Sequence, residues 1–112
     1  MMVKNAEEFE YEAVTSYAST DTTIQWFMQR EDALRFMMRR FTIEPGGQIG
    51  IHQHPEEHEI YILQGEVILT GSEEGEQVAR EGDFVYVPPD EPHGYENRGD
   101  KQVRFLCVIP KL

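Results

Sequence analysis

From residue 46 onward the chain is cut into short β-favouring runs by turn residues at close intervals. This rhythm constrains the fold more than any other feature. Ile60-Tyr61-Ile62-Leu63 runs into Gln64-Gly65, and Val67 to Thr70 runs into Gly71-Ser72-Glu73-Glu74-Gly75. Gln77-Val78-Ala79 precedes Glu81-Gly82-Asp83, Phe84-Val85-Tyr86-Val87 stops at Pro88-Pro89, and Val103 to Ile109 forms a last apolar run. β-branched and aromatic residues suit a pleated, half-buried surface, whereas Gly, Pro and Asp turn the chain. Short strands punctuated in this way build an all-β sandwich or barrel. At 112 residues the chain has room for one such body, and a chain of this size buries roughly two-thirds of its unfolded surface in one core.

Upstream, residues 1 to 21 are an acidic lead-in whose Phe9, Tyr11 and Tyr17 need a surface to pack on. Thr22 to Gln29 reads as a strand and Glu31-Asp32-Ala33 as a turn. Leu34 to Glu44 holds residues that also favour a helix. The Pro45-Gly46-Gly47 that follows reads as a stop, and with the strands beyond it this favours a strand.

The charge balance, 21 acidic against 10 basic residues and a net −11, argues against nucleic acid and against an anionic membrane surface as partners. No apolar run approaches the roughly 20 residues of a membrane span. The opening residues carry no signal-peptide core, and the single Cys107 has no partner for an internal disulfide. The expectation is a cytoplasmic protein.

The four histidines are His52, His54, His58 and His93. In an extended segment positions two apart share a face, so His52 and His54 can point the same way. His58 follows a Pro-containing bend and can return to that face from the next strand. Imidazoles converging on one point, with the fourth arriving from elsewhere, make a transition-metal site suited to Zn, Cu, Fe or Ni, and to Mn where water completes the shell. The plain alternative is surface histidines in an acidic loop.

These residues resemble the two motifs of the cupins. The first motif reads Gly46, His52-Gln53-His54, His58 and Gly65, and the second reads Gly82, Pro88, Asp90 in place of a glycine, His93 and Asn97. With six residues between it and Gly65, His58 stands where cupins commonly carry a glutamate. Glu59 is the rival for that place, but strand alternation puts His58, Ile60 and Ile62 on one face and Glu59 on the other. The chain is therefore most similar to small single-domain cupins with a four-histidine, often manganese, site. The resemblance implies a double-stranded β-helix (jelly-roll) barrel over residues 34–112, with 1–33 as an N-terminal extension packing on the barrel or on a dimer partner. It implies a divalent metal held by His52, His54, His58 and His93, with Mn favoured over Fe, Ni, Zn or Cu, and a homodimer.

Four neutral ligands leave the metal's charge undiminished, and a six-coordinate ion keeps open positions. The expected function is a dioxygenase-like enzyme acting on a small organic substrate at such a position. A non-catalytic small-molecule or metal-binding module and a metal-dependent lyase or isomerase are the alternatives. Phe105, Cys107 and Ile109 share one face of the last strand, and the pocket candidates are Cys107, Phe105, Ile62 and Arg39. Arg39 and Arg40 lie on opposite faces, so at most one points inward, where it would anchor a substrate anion. Solvated imidazoles would release the metal as pH falls through roughly 6.5.

Overall fold

The computed structural model describes all 112 residues. Nine strands follow a single 3-10 turn at Ala6–Glu8: β1 (Glu12–Ala13), β2 (Thr20–Met28), β3 (Phe36–His52), β4 (His58–Gln64), β5 (Glu66–Thr70), β6 (Gln77–Arg80), β7 (Phe84–Val87), β8 (His93–Glu96) and β9 (Val103–Pro110). Every run read as a strand from sequence is one. All pairings are antiparallel, in the order β6-β5-β8-β3-β9-β4-β7, with β2 alongside β3 and β1 alongside β2. The sheet curls into a nearly closed barrel whose two ends, β6 and β7, are not paired with each other.

The barrel closes because β3 serves both of its halves. Phe36 to Ile43 pairs with β9, whereas Gln48 to His52 pairs with β8. This corrects the expectation that Pro45-Gly46-Gly47 ends the strand: the chain bends there and continues. Gly46 takes φ +83°, a conformation open to glycine. Asn97 clamps the bend from the far side of the chain. Its backbone accepts from Gly46 N at 2.9 Å and donates to Gly47 O at 3.0 Å. Its buried side chain donates to Ile43 O and Lys101 O, at 2.9 and 2.8 Å.

Period-two alternation fills the interior. Val103, Phe105, Cys107 and Ile109 of β9, with Ile60 and Ile62 of β4 and Met37, Phe41 and Ile43 of β3, form the buried core. The N-terminal turn is tied to the barrel's outside by polar contacts. Buried Gln25 donates to Ala6 O and Phe9 O and accepts from Arg40 Nε, while Arg40 Nη2 pairs with Glu7 at 2.7 Å. Residues 12–17, which follow this turn, line the cavity inside the barrel.

Candidate metal centre and its cavity

A break in strand register brings His52 inside. Ile49 opposes Tyr95 and His52 opposes His93, so β3 spends three residues where β8 spends two. The extra residue reverses the alternation: Ile49 is buried, Ile51 is exposed, and His52 faces in. Gly50 sits in this bulge because Tyr17 O crosses it so closely that any Cβ would collide with the carbonyl. The same crossing stacks the Tyr17 ring on His52, centroids 4.1 Å apart and 6° from parallel. His54 lies in the bend after β3, His58 opens β4 on the face of Ile60 and Ile62, and His93 opens β8. Glu59 lies on the opposite face of β4, as alternation required.

His52, His54 and His93 each offer one ring nitrogen, and the three lie within 4.8 Å of one another. His58 stands beside them, its Nε2 at 2.8 Å from His54 Nε2 and its ring 4.9 Å from that of His93. The structure thus gathers three histidines in one ligand group with the fourth against it. His52 Nδ1 lies 2.8 Å from Gly50 O, and His93 Nδ1 lies 2.8 Å from Glu91 O. A carbonyl only accepts, so both Nδ1 atoms carry the proton and both Nε2 atoms present a lone pair. His93 Nε2 is buried and has no hydrogen-bond partner. An orphaned buried lone pair facing other imidazole nitrogens is what a cation would satisfy, so these residues fit a transition metal ion.

His58 has two tautomers open to it. Its Nδ1 is 2.7 Å from Cys107 Sγ and 3.3 Å from Arg39 Nη2. Donation from Nδ1 to the sulfur leaves Nε2 as a metal ligand, whereas acceptance at Nδ1 leaves Nε2–H to bond His54. Burial, with the Arg39 charge next in size, lowers the His58 pKa to about 2. Burial lowers that of His93 to about 4, against the opposing bond to Glu91, and also lowers that of His52. These rings are neutral where free imidazole would be charged, which extends ligation competence below the pH 6.5 expected for solvated rings.

Above the cluster is a cavity of about 520 Å³ bordered by His52, His54 and His58. Its walls include Ile24 and Trp26 of β2, Arg39, Phe41 and Ile49 of β3, Tyr95 and Ile109, and residues 12–17 cover part of its mouth. A second hollow of about 390 Å³, between β6 and β7, reaches His93 from the other side. Of the four pocket candidates, Arg39 lines the main cavity. Ile62, Phe105 and Cys107 do not: all three are almost completely buried in the barrel packing. They point inward as alternation predicts, but at the depth their registers set, inward means core. Cys107 reaches the site only through His58 and Arg39. Burial raises its pKa, opposed by Arg39.

Trp26, Tyr17 and the 12–17 segment were not singled out from sequence as cavity residues. The aromatic content of the lead-in was the only signal for Tyr17 and its segment, and Trp26 lay in the Thr22–Gln29 strand run with none.

This barrel with histidines gathered at its mouth belongs to the cupin family. The Cupin_2 family model, a cupin domain, matches residues 39–109. Among solved structures, the polyketide cyclase RemF from Streptomyces resistomycificus superposes with a TM-score of 0.89 at 29% identity, over 100% of this chain and 80% of that one. A structure from Thermotoga maritima described as a predicted oxalate decarboxylase gives 0.87 at 25% identity, over 99% of this chain and 100% of that one. An oxalate-binding protein of the same organism is 36% identical over 75 residues, 65% of this chain and 60% of that relative's length.

Proposed function

We propose that this chain is a metal-dependent enzyme holding one divalent transition metal ion, manganese for preference, through His52, His54, His93 and His58. It acts on a small organic substrate bound against that ion. The observation that carries this reading is the convergence of imidazoles beside a cavity that His52, His54 and His58 border, with the buried His93 Nε2 lacking any other partner. When bound, the ion supplies Lewis acidity and a redox couple, undiminished by any ligand carboxylate. The chain's own contribution is to fix two ring tautomers through Gly50 O and Glu91 O, to keep the rings unprotonated by burial, and to cover the mouth with residues 12–17.

The dioxygenase-like reading and a lyase- or isomerase-type reading share this site and differ in whether the ion changes valence. The likeness to a polyketide cyclase over the whole chain favours the second. The test begins with elemental analysis of tag-free protein and titration with Mn(II). One ion per chain is expected for the wild type and none for His52→Ala/His54→Ala; stoichiometric metal in the double variant would refute the site. Oxygen uptake during turnover by the loaded enzyme supports the oxygenase, and turnover without uptake supports the lyase or isomerase.

A further inference from the structure

The chain is strongly acidic, yet Arg39 has no carboxylate partner. Ion pairs engage Arg40, Arg80, Arg98 and Arg104, and none engages Arg39. Its Nε is buried without a partner, while Nη2 rests 3.0 Å from Cys107 Sγ. Its guanidinium lies over two aromatic rings, 5.3 Å from the Trp26 centroid and 5.0 Å from that of Phe41. Leaving a half-buried cation uncompensated is costly unless a ligand brings the countercharge. The fork of N–H donors on a guanidinium matches an oxyanion.

The cavity around Arg39 limits the shape of that anion. At about 520 Å³ it falls in the range that encloses drug-sized ligands. Ile24, Trp26, Phe41, Ile49 and Tyr95 make the wall beside Arg39 apolar and aromatic, while Glu12 and Glu56 lie among the polar residues on the rest of the lining. A compact dianion such as oxalate would pair with Arg39 and the ion but leave that wall wet. A planar apolar body would cover it and stack on the rings.

We infer that the ligand of this cavity is a planar, largely apolar organic anion, of the aromatic hydroxycarboxylate or enolate type. One anionic oxygen goes to Arg39, an oxygen donor goes to the metal site, and the ring system lies against Trp26 and Phe41. This rests on the metal-dependent reading above for the second contact only.

The test is isothermal titration of wild type, Arg39→Gln and Arg39→Lys with 3-hydroxy-2-naphthoate, 2-naphthol and oxalate, on metal-loaded and metal-free protein. Quenching of Trp26, the single tryptophan, serves as a second readout. Metal content is measured separately, and circular dichroism checks that each variant is folded. Hydroxynaphthoate is expected to bind wild type about tenfold to a hundredfold tighter than naphthol, the range a charge-assisted hydrogen bond gives, and tighter than oxalate. Arg39→Gln is expected to abolish the preference over naphthol, and Arg39→Lys to restore part of it. Oxalate binding as tightly as hydroxynaphthoate, an unchanged preference in Arg39→Gln, or no binding of any probe would overturn the inference. Arg39-dependent hydroxynaphthoate binding by protein that takes up no metal would support the Arg39 contact and refute the metal reading instead.

Discussion

Replacing Asn97 with alanine should destabilise the protein far more than the loss of one polar side chain ordinarily does. Asn97 is 2% exposed and uses its whole amide: Nδ2 donates to Ile43 O and Lys101 O, and Oδ1 accepts from Gly99 N at 3.0 Å. Three such bonds contribute about 1 kcal/mol each, and a buried carbonyl left without its donor costs about 1–3 kcal/mol more. The expected loss is about 4–6 kcal/mol, a large share of the roughly 5–15 kcal/mol that holds a domain folded. At this chain length it corresponds to a melting temperature lower by about 15 °C or more. Urea unfolding at pH 7 of wild type, Asn97→Ala and Asn97→Asp measures it. The aspartate keeps an acceptor for Gly99 but turns a negative oxygen toward the two carbonyls, so it should be at least as unstable as the alanine variant. A loss below about 1 kcal/mol in Asn97→Ala would refute the argument that this side chain clamps the β3 bend.

Two further predictions follow from the cluster. In metal-free protein the unfolded chain protonates His58 and His93 as pH falls through about 6.5, whereas the folded chain does so only near 2 and 4. Stability should therefore fall as pH drops from 6.5 to 5, by about 2 kcal/mol for each histidine. His58→Gln should lose one of these two contributions, and identical pH profiles for wild type and variant would contradict it. Cys107→Ala removes the sulfur 2.7 Å from His58 Nδ1 and should weaken metal binding about tenfold to a hundredfold, with Cys107→Ser recovering part of it. Chelator competition measures both, and wild-type affinity in the alanine variant would reduce Cys107 to a packing residue.

Alternation along single strands was legible without coordinates. Ile60 and Ile62 face the core with His58, Glu59 faces away, and Phe105, Cys107 and Ile109 share one face, all from a pleat of period two. The same rule also misled. It left the strand ending at Pro45, because the clamp that carries the chain through Gly46 and Gly47 comes from Asn97, some fifty residues away. Nor could it foresee the extra residue between Ile49 and His52, which turns Ile51 out and His52 in.

The sequence by itself determined the all-β class, the turn positions, the inward faces of β4 and β9 and the four imidazoles in their order. These depend on local backbone geometry and on residue chemistry at fixed spacing. Only the tertiary structure decided that Arg39 rather than Cys107, Phe105 or Ile62 borders the cavity, that Trp26 and residues 12–17 help enclose it, and that three histidines form the tight group with His58 beside them. Depth along a strand, bulge position and the crossing of Tyr17 over Gly50 are set by partners distant in the chain. Alternation says which face a side chain takes, but only the register between strands says what it meets there.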